Sequence, residues 1–177
     1  YYASPNTDLA GLVIERAVGI RFHEYLAERL WKPMGARGAA WVTVDRAGTG
    51  RAAGGICVTP RDLARFGQLV LDGGRNQAGA QVIPAEWIAD MHGNGDPQAW
   101  ANGNFSTSFK GGRYRSFWYE TGDARGCFCG IGIHGQWLWV DPVSRVVLVR
   151  TSSRPEASDD ALSKIEGDVL GQISRQL

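Results

Sequence analysis

The sequence predicts an α+β fold: helices first, then an antiparallel sheet, then a last helix packed back on that sheet. Three observations predict it. Apolar residues recur at three- and four-residue spacing through the first half of the chain. Closely spaced β-branched and aromatic runs follow between residues 114 and 151, and helical spacing returns after residue 158.

The first helix is expected to start near Thr7, with Leu9, Leu12, Val13 and Ala17 on one buried face and Gly19 as its stop. A second helix carries Phe22, Leu26 and Leu30 and ends at Pro33. Ala39 to Val44 suits a short strand, and Gly48 to Gly55 is loop. The cleanest helix follows. Thr59 can cap it, Pro60 fits its first turn and Asp62 favours its positive dipole end. Leu63, Phe66, Gly67, Val70 and Leu71 mark its inner face, and Asp72-Gly73-Gly74 stops it. Pro84 opens a short helix with Trp87, Ile88 and Met91. Residues 93 to 112 form a long aperiodic loop, of the kind that tends to be functional. Four strands are expected at Tyr114–Thr121, Cys127–Ile133, Gln136–Val140 and Arg145–Thr151, in a meander with a turn at Asp141-Pro142. A helix capped near Ser158 closes the chain, with Leu162, Ile165, Val169 and Ile173 as its buried stripe.

Length and composition narrow the class. A chain of 177 residues, 44% hydrophobic, can bury one core and is expected to be a single unit over 1–177. A net charge of +1 provides no field for nucleic acid or acidic lipid. No apolar run reaches the roughly 18 residues a bilayer span needs, so no membrane partner is expected. The chain starts with Tyr and not Met, which suggests that a true N-terminus lies elsewhere. Cys57, Cys127 and Cys129 give no complete disulfide framework, which favours a reducing, cytoplasmic setting. Cys127 and Cys129 should share a strand face as buried small hydrophobes. A metal site built from them and His134 lacks a fourth ligand and the usual spacing, so no metal and no cofactor are expected.

Four segments stand out in order along the chain: Tyr2-Ala3-Ser4-Pro5-Asn6-Thr7-Asp8, Thr59-Pro60-Arg61-Asp62-Leu63-Ala64-Arg65, Leu71-Asp72-Gly73-Gly74, and Gly130-Ile131-Gly132-Ile133-His134-Gly135-Gln136. Over nearly the whole chain this order resembles the class C branch of the serine β-lactamase and penicillin-binding-protein superfamily. Within it, the resemblance is to the nylon-oligomer hydrolases and related carboxylesterases. The resemblance implies the C-terminal part of a β-lactamase-like fold. The superfamily's nucleophile motif, Ser-x-x-Lys, is not among these residues: Lys32, Lys110 and Lys164 follow Arg29, Thr107 and Ala161 by three positions. The expected function is an acyl-enzyme hydrolase of linear amides or esters, with the nucleophile supplied by an N-terminal part and this chain inactive by itself.

The resemblance also implies roles. Tyr2 matches the catalytic tyrosine, a proton carrier that needs a nearby ammonium to act as a base near neutral pH. The Ile133 N–H matches the oxyanion donor. Gly132 stands in the segment equivalent to Lys-Thr-Gly, where glycines let a substrate backbone approach. Trp118 and Tyr119 match substrate-cleft aromatics and should form an apolar wall, although alternate members of that run could equally face the core. Ser4 replaces the asparagine of Tyr-x-Asn, and glycine and isoleucine replace the carboxylate-binding lysine and threonine. Both changes count against a true β-lactamase or DD-peptidase, which stays as an alternative beside a non-catalytic binding module. Ala53 occupies a position where an asparagine can stand beside the substrate, which counts against strong activity on nylon oligomers. His134 suits a structural hydrogen bond better than a Ser-His-Asp triad, and the chain has no Gly-x-Ser-x-Gly elbow. His23 and His92 are expected to be solvated, and Arg61, Asp62 and Arg65 to be helix-surface and capping residues. The expected partner is a small amide or ester, with room for a homodimer.

Overall fold

The structure, a computed structural model, describes residues 2–177. Helix α1 spans Ser4–Val18 and ends at Gly19, whose φ of 74° is the left-handed conformation that glycine accepts without steric cost. It starts three residues earlier than Thr7 because Pro5 fits a first helical turn. Helix α2, Phe22–Leu26, continues into a π-helical turn over Ala27–Trp31. Strands β1 (Trp41–Val42) and β2 (Ile56–Cys57) form a small antiparallel pair that frames the glycine-rich loop. Helix α3 covers Pro60–Leu71, and the Thr59 hydroxyl caps it by accepting from the Asp62 amide at 3.1 Å. Helix α4 spans Ala85–Gly93. The loop from 93 to 112 holds a five-residue helix, α5 (Pro97–Ala101), capped by Asp96.

The main sheet is a five-stranded antiparallel meander in the order β3-β4-β5-β6-β7. Its strands are Arg113–Arg115, Trp118–Glu120, Phe128–Gly132, Gln136–Asp141 and Val146–Arg150. The run expected as one strand over Tyr114–Thr121 is therefore a hairpin. Ser116 and Phe117 form its two-residue turn with φ of 50° and 70°, the backbone sign that matches strand twist in tight hairpins.

Side chains of alternating residues build a core on each face. On one face Tyr119, Cys127, Cys129, Trp137 and Trp139 pack with Trp100 and with Leu170 of α6 (Asp160–Gln176). Phe105 and Phe109, from the 93–112 loop, fill the same layer. On the other face Phe128 and Val140 meet Val70, Ile88 and Met91 of α3 and α4. Gly67 lets α3 lie close on the sheet, since a Cβ there would come within 2.6 Å of Val147. Both cysteines are thus packed hydrophobes, and burial raises both thiols, that of Cys127 to about 12.

Two expected stripes are not buried. In α1, Leu9, Leu12, Val13 and Ala17 face outward, and Leu9 is 60% exposed. In α6 the sheet receives Glu166, Gly167, Leu170, Gly171 and Ser174, whereas Leu162, Ile165, Val169 and Ile173 face outward. The physical reason is closeness: Gly167 and Gly171 let the rings of Trp137 and Trp139 approach the helix axis, which turns the bulky stripe away. Trp87 of α4 is exposed as well, leaving Ile88 and Met91 as that helix's buried residues.

Candidate active site

Tyr2 lies just before α1. Its backbone N–H donates to Asn104 Oδ1 at 3.0 Å. Its ring meets Phe105 edge-on with centroids 5.6 Å apart, and Tyr114 at 6.2 Å. Tyr114 in turn packs on Tyr119 at 4.8 Å, its direct cross-strand partner. The long loop therefore seats the tyrosine. Asn104, Phe105 and Tyr114 are residues that sequence reasoning missed, and the only hint was the unexplained length of that loop. Burial and the neighbouring Tyr2 push the Tyr114 phenol up to about 12, and burial raises that of Tyr119 further. Both phenols stay protonated at neutral pH, so neither can serve as a phenolate base.

Helix α1 also anchors the glycine-rich loop. Asp8 Oδ1 accepts from the Ala53 amide at 2.8 Å, and a Cβ on Gly11 would come within 2.9 Å of Ala52. Tyr2 thus precedes the helix whose N-terminal half, at Asp8 and Gly11, holds Ala53 and Ala52.

Gly132 ends β5 and Ile133 follows it. The β5–β6 ladder runs through Gly130, Ile131 and Gly132 to its last pair, Gly132 with Gln136. On its other side β5 pairs with β4 only at Phe128 and Cys129. The β4-facing edge of Gly130–Gly132 is therefore unpaired. A Cβ at Gly130 would meet nothing within 4 Å, whereas one at Gly132 would come within 3.0 Å of Gln136. Gly130 thus opens space, and Gly132 is needed for the close approach to β6. Ile133 follows the ladder, 66% exposed, and starts a single 3-10 turn to Gly135. In that turn His134 has φ of 59° and Gly135 φ of 82°.

His134 is engaged structurally: its Nδ1 lies 2.9 Å from the Arg154 carbonyl, and its amide donates to the Ala157 carbonyl at 3.0 Å. The single aromatic wall from Trp118 and Tyr119 does not form. Neighbours on a strand point to opposite faces. Tyr119 lies on the Tyr2 side, while Trp118 packs on Phe128 at 5.2 Å and Phe66 at 5.9 Å. His92 is not solvated either. Its ring packs edge-on against Phe128 at 4.1 Å, and burial lowers its pKa. Asp62 is not a surface cap. It is 1% exposed and accepts from the amides of Arg37 and Gly38, each at 2.9 Å, and from Arg65 at 2.8 Å. These bonds, led by the Arg37 amide, hold its carboxyl down at about 2.

No helix among the described residues is long and apolar enough to cross a membrane. The Beta-lactamase family profile matches residues 1–171. The chain is 39% identical over 176 residues to 6-aminohexanoate-dimer hydrolase of Paenarthrobacter ureafaciens, covering 99% of this chain and 45% of that protein. A Bacillus anthracis structure, provisionally assigned as a 6-aminohexanoate-dimer hydrolase, superposes with a TM-score of 0.86 at 27% identity. That superposition covers 99% of this chain and 44% of the other. A Mycobacterium bovis beta-lactamase shares the fold, with a TM-score of 0.69 at 23% identity over 98% of this chain and 64% of its own. The chain thus spans less than half the length of the 6-aminohexanoate-dimer hydrolases it matches.

Proposed function

The chain belongs to the beta-lactamase family, and from that premise we propose that it is the C-terminal part of a serine hydrolase of linear amides or esters. The observation that carries this reading is the open edge of β5: Gly130–Gly132 is laddered on one side only, and an exposed Ile133 follows it outside the ladder. An extended substrate can lie along that edge with its carbonyl oxygen at the Ile133 N–H.

In this reading a serine from the remaining part of the protein attacks the carbonyl. Tyr2, seated by Asn104, Phe105 and Tyr114, moves the serine's proton toward the leaving amine or alcohol. The C–N or C–O bond breaks, the acyl group stays on the serine, and water releases it as the acid. The Ile133 N–H stabilises the oxyanion in both steps; losing such a donor costs about 10²–10³ in rate. Tyr119 backs the Tyr2 cluster. Trp118, packed against Phe66 and Phe128 on the opposite sheet face, lies outside this cleft. Ser4 and the Gly130-Ile131 pair leave no side chains to hold the acylamino and carboxylate groups of a β-lactam. The substrate is a small molecule of neutral backbone, and a homodimer remains compatible with the exposed helix faces.

The test is hydrolysis of p-nitrophenyl acetate, the 6-aminohexanoate dimer and nitrocefin by the intact protein that contains this chain. Ester or amide turnover with a fluorophosphonate adduct is expected, with little nitrocefin cleavage. Rapid nitrocefin cleavage would favour a β-lactamase. No turnover and no adduct would leave a binding module.

A further inference from the structure

The Ile133–Gly135 turn is held from beneath by an ionic cluster that the chemistry above does not use. Glu166 of α6 is buried, and its Oε2 accepts from the Trp137 indole N–H at 2.7 Å. Its Oε1 pairs with Arg150 Nη1 at 3.0 Å and Arg154 Nη1 at 3.5 Å. The same Arg150 Nη1 donates to the Gly135 carbonyl at 2.7 Å. Arg154, whose Nη2 also donates to Ser163 Oγ at 3.2 Å, offers its carbonyl to His134 Nδ1. One carboxylate thus orients two guanidinium groups: that of Arg150 donates to the turn at Gly135, and that of Arg154 lies against Gly135 while its main-chain carbonyl meets His134.

That grip matters because the turn's backbone is not one its sequence would hold unaided. His134 lies in the left-handed region, which is uncommon outside glycine. At Gly135 the cluster comes so close that a Cβ would stand 2.8 Å from Arg150 Nη1 and 3.1 Å from Arg154 Nε. The positive-φ residues and the His134 amide bond to the Ala157 carbonyl fix the Ile133–His134 peptide. The next peptide back, Gly132–Ile133, carries the Ile133 N–H and is held between that turn and the last ladder pair, Gly132 with Gln136.

We infer that Glu166 is a positioning residue: through Arg150 and Arg154 it sets the Ile133–Gly135 turn and so aims the Ile133 amide at the oxyanion position. This rests on the hydrolase reading for its consequence, but not for its geometry, so it is tested in two arms. In the 177-residue chain, Glu166→Gln should shift or broaden the amide resonances of Ile133 and Gly135 and speed exchange of the His134 amide about tenfold. The Val140 and Val147 amides should not change. Unchanged signals at all three turn residues would overturn the inference whatever the protein's activity. In the intact protein, Glu166→Gln should lower kcat about tenfold with KM within twofold, and weaken a boronic-acid transition-state analogue by the same factor, with Glu166→Asp recovering part of both. A raised KM with unchanged kcat and unchanged boronate affinity would overturn it. Absence of hydrolysis in the unaltered protein would instead sink the hydrolase reading and leave the first arm decisive. If Glu166→Gln does not fold, Arg150→Met removes the Gly135 contact at a partly exposed position, with the same results expected.

Discussion

Tyr2 is the side chain on which the proposed chemistry turns. In the intact protein Tyr2→Phe should keep the fold, because the Phe105 and Tyr114 contacts are ring contacts. It should lower kcat by about 10²–10⁴, the usual contribution of a general acid–base group. Retention of more than about a tenth of the activity would make Tyr2 a packing residue. Asp62 shows the opposite kind of importance. Its lowered pKa means that its contribution to stability is present above about pH 4 and is lost as pH falls toward 2. Asp62→Asn should cost about 3 kcal/mol, because Arg65 and two amides lose a charged acceptor. The acid limb of a melting-temperature-against-pH curve should flatten in that variant. Sequence alone gave Asp62 a helix-capping role, since an aspartate after Thr-Pro fits that role completely. What it could not reveal is that Arg37 and Gly38, far away in the chain, aim their amides at the same carboxylate. Trp118 and Tyr119 were harder still. A run of three aromatics says that a strand is half-buried, but only the register decides which ring faces which layer.

At the scale of elements, the β3–β4 hairpin is the feature least visible in sequence. Its turn uses Ser116-Phe117 where Asn-Gly is usual, so nothing in the letters breaks the strand. Phe117 holds φ of 70° with an exposed ring. Phe117→Gly should therefore raise the unfolding free energy by about 1 kcal/mol, read from chemical denaturation; a loss of stability would mean that the ring has an essential contact. Elements with explicit local signals were legible: Thr59-Pro60 for α3, Gly19 for the end of α1, Asp141-Pro142 between β6 and β7. The outward stripes of α1 and α6 were misread for one reason. Periodicity reports that a face is apolar, not that this chain covers it.

For the whole molecule, the α1 and α6 stripes lie exposed in a chain that spans less than half the length of the 6-aminohexanoate-dimer hydrolases it matches. The purified chain is expected to turn over neither esters nor amides, since no serine stands three residues before any of its lysines. Steady p-nitrophenyl acetate hydrolysis, retained after contaminants are removed, would refute this. A solvatochromic dye should brighten on the Ile165–Val169–Ile173 face and lose much of that signal in Ile165→Asp.

The meander has a kinetic meaning. Each of the five strands pairs only with its neighbours in sequence, so each pairing step closes a short loop and the entropic cost of bringing the partners together stays small. A sheet assembled this way can zip from one hairpin outward without waiting for a distant segment, which places it among the faster β topologies. During synthesis it could gain protection as soon as β7 emerges and before α6 is complete. Pulsed hydrogen exchange during refolding should accordingly protect the amides of Leu138 and Val149 together and ahead of those in α1; protection of α1 first would reverse that order of events.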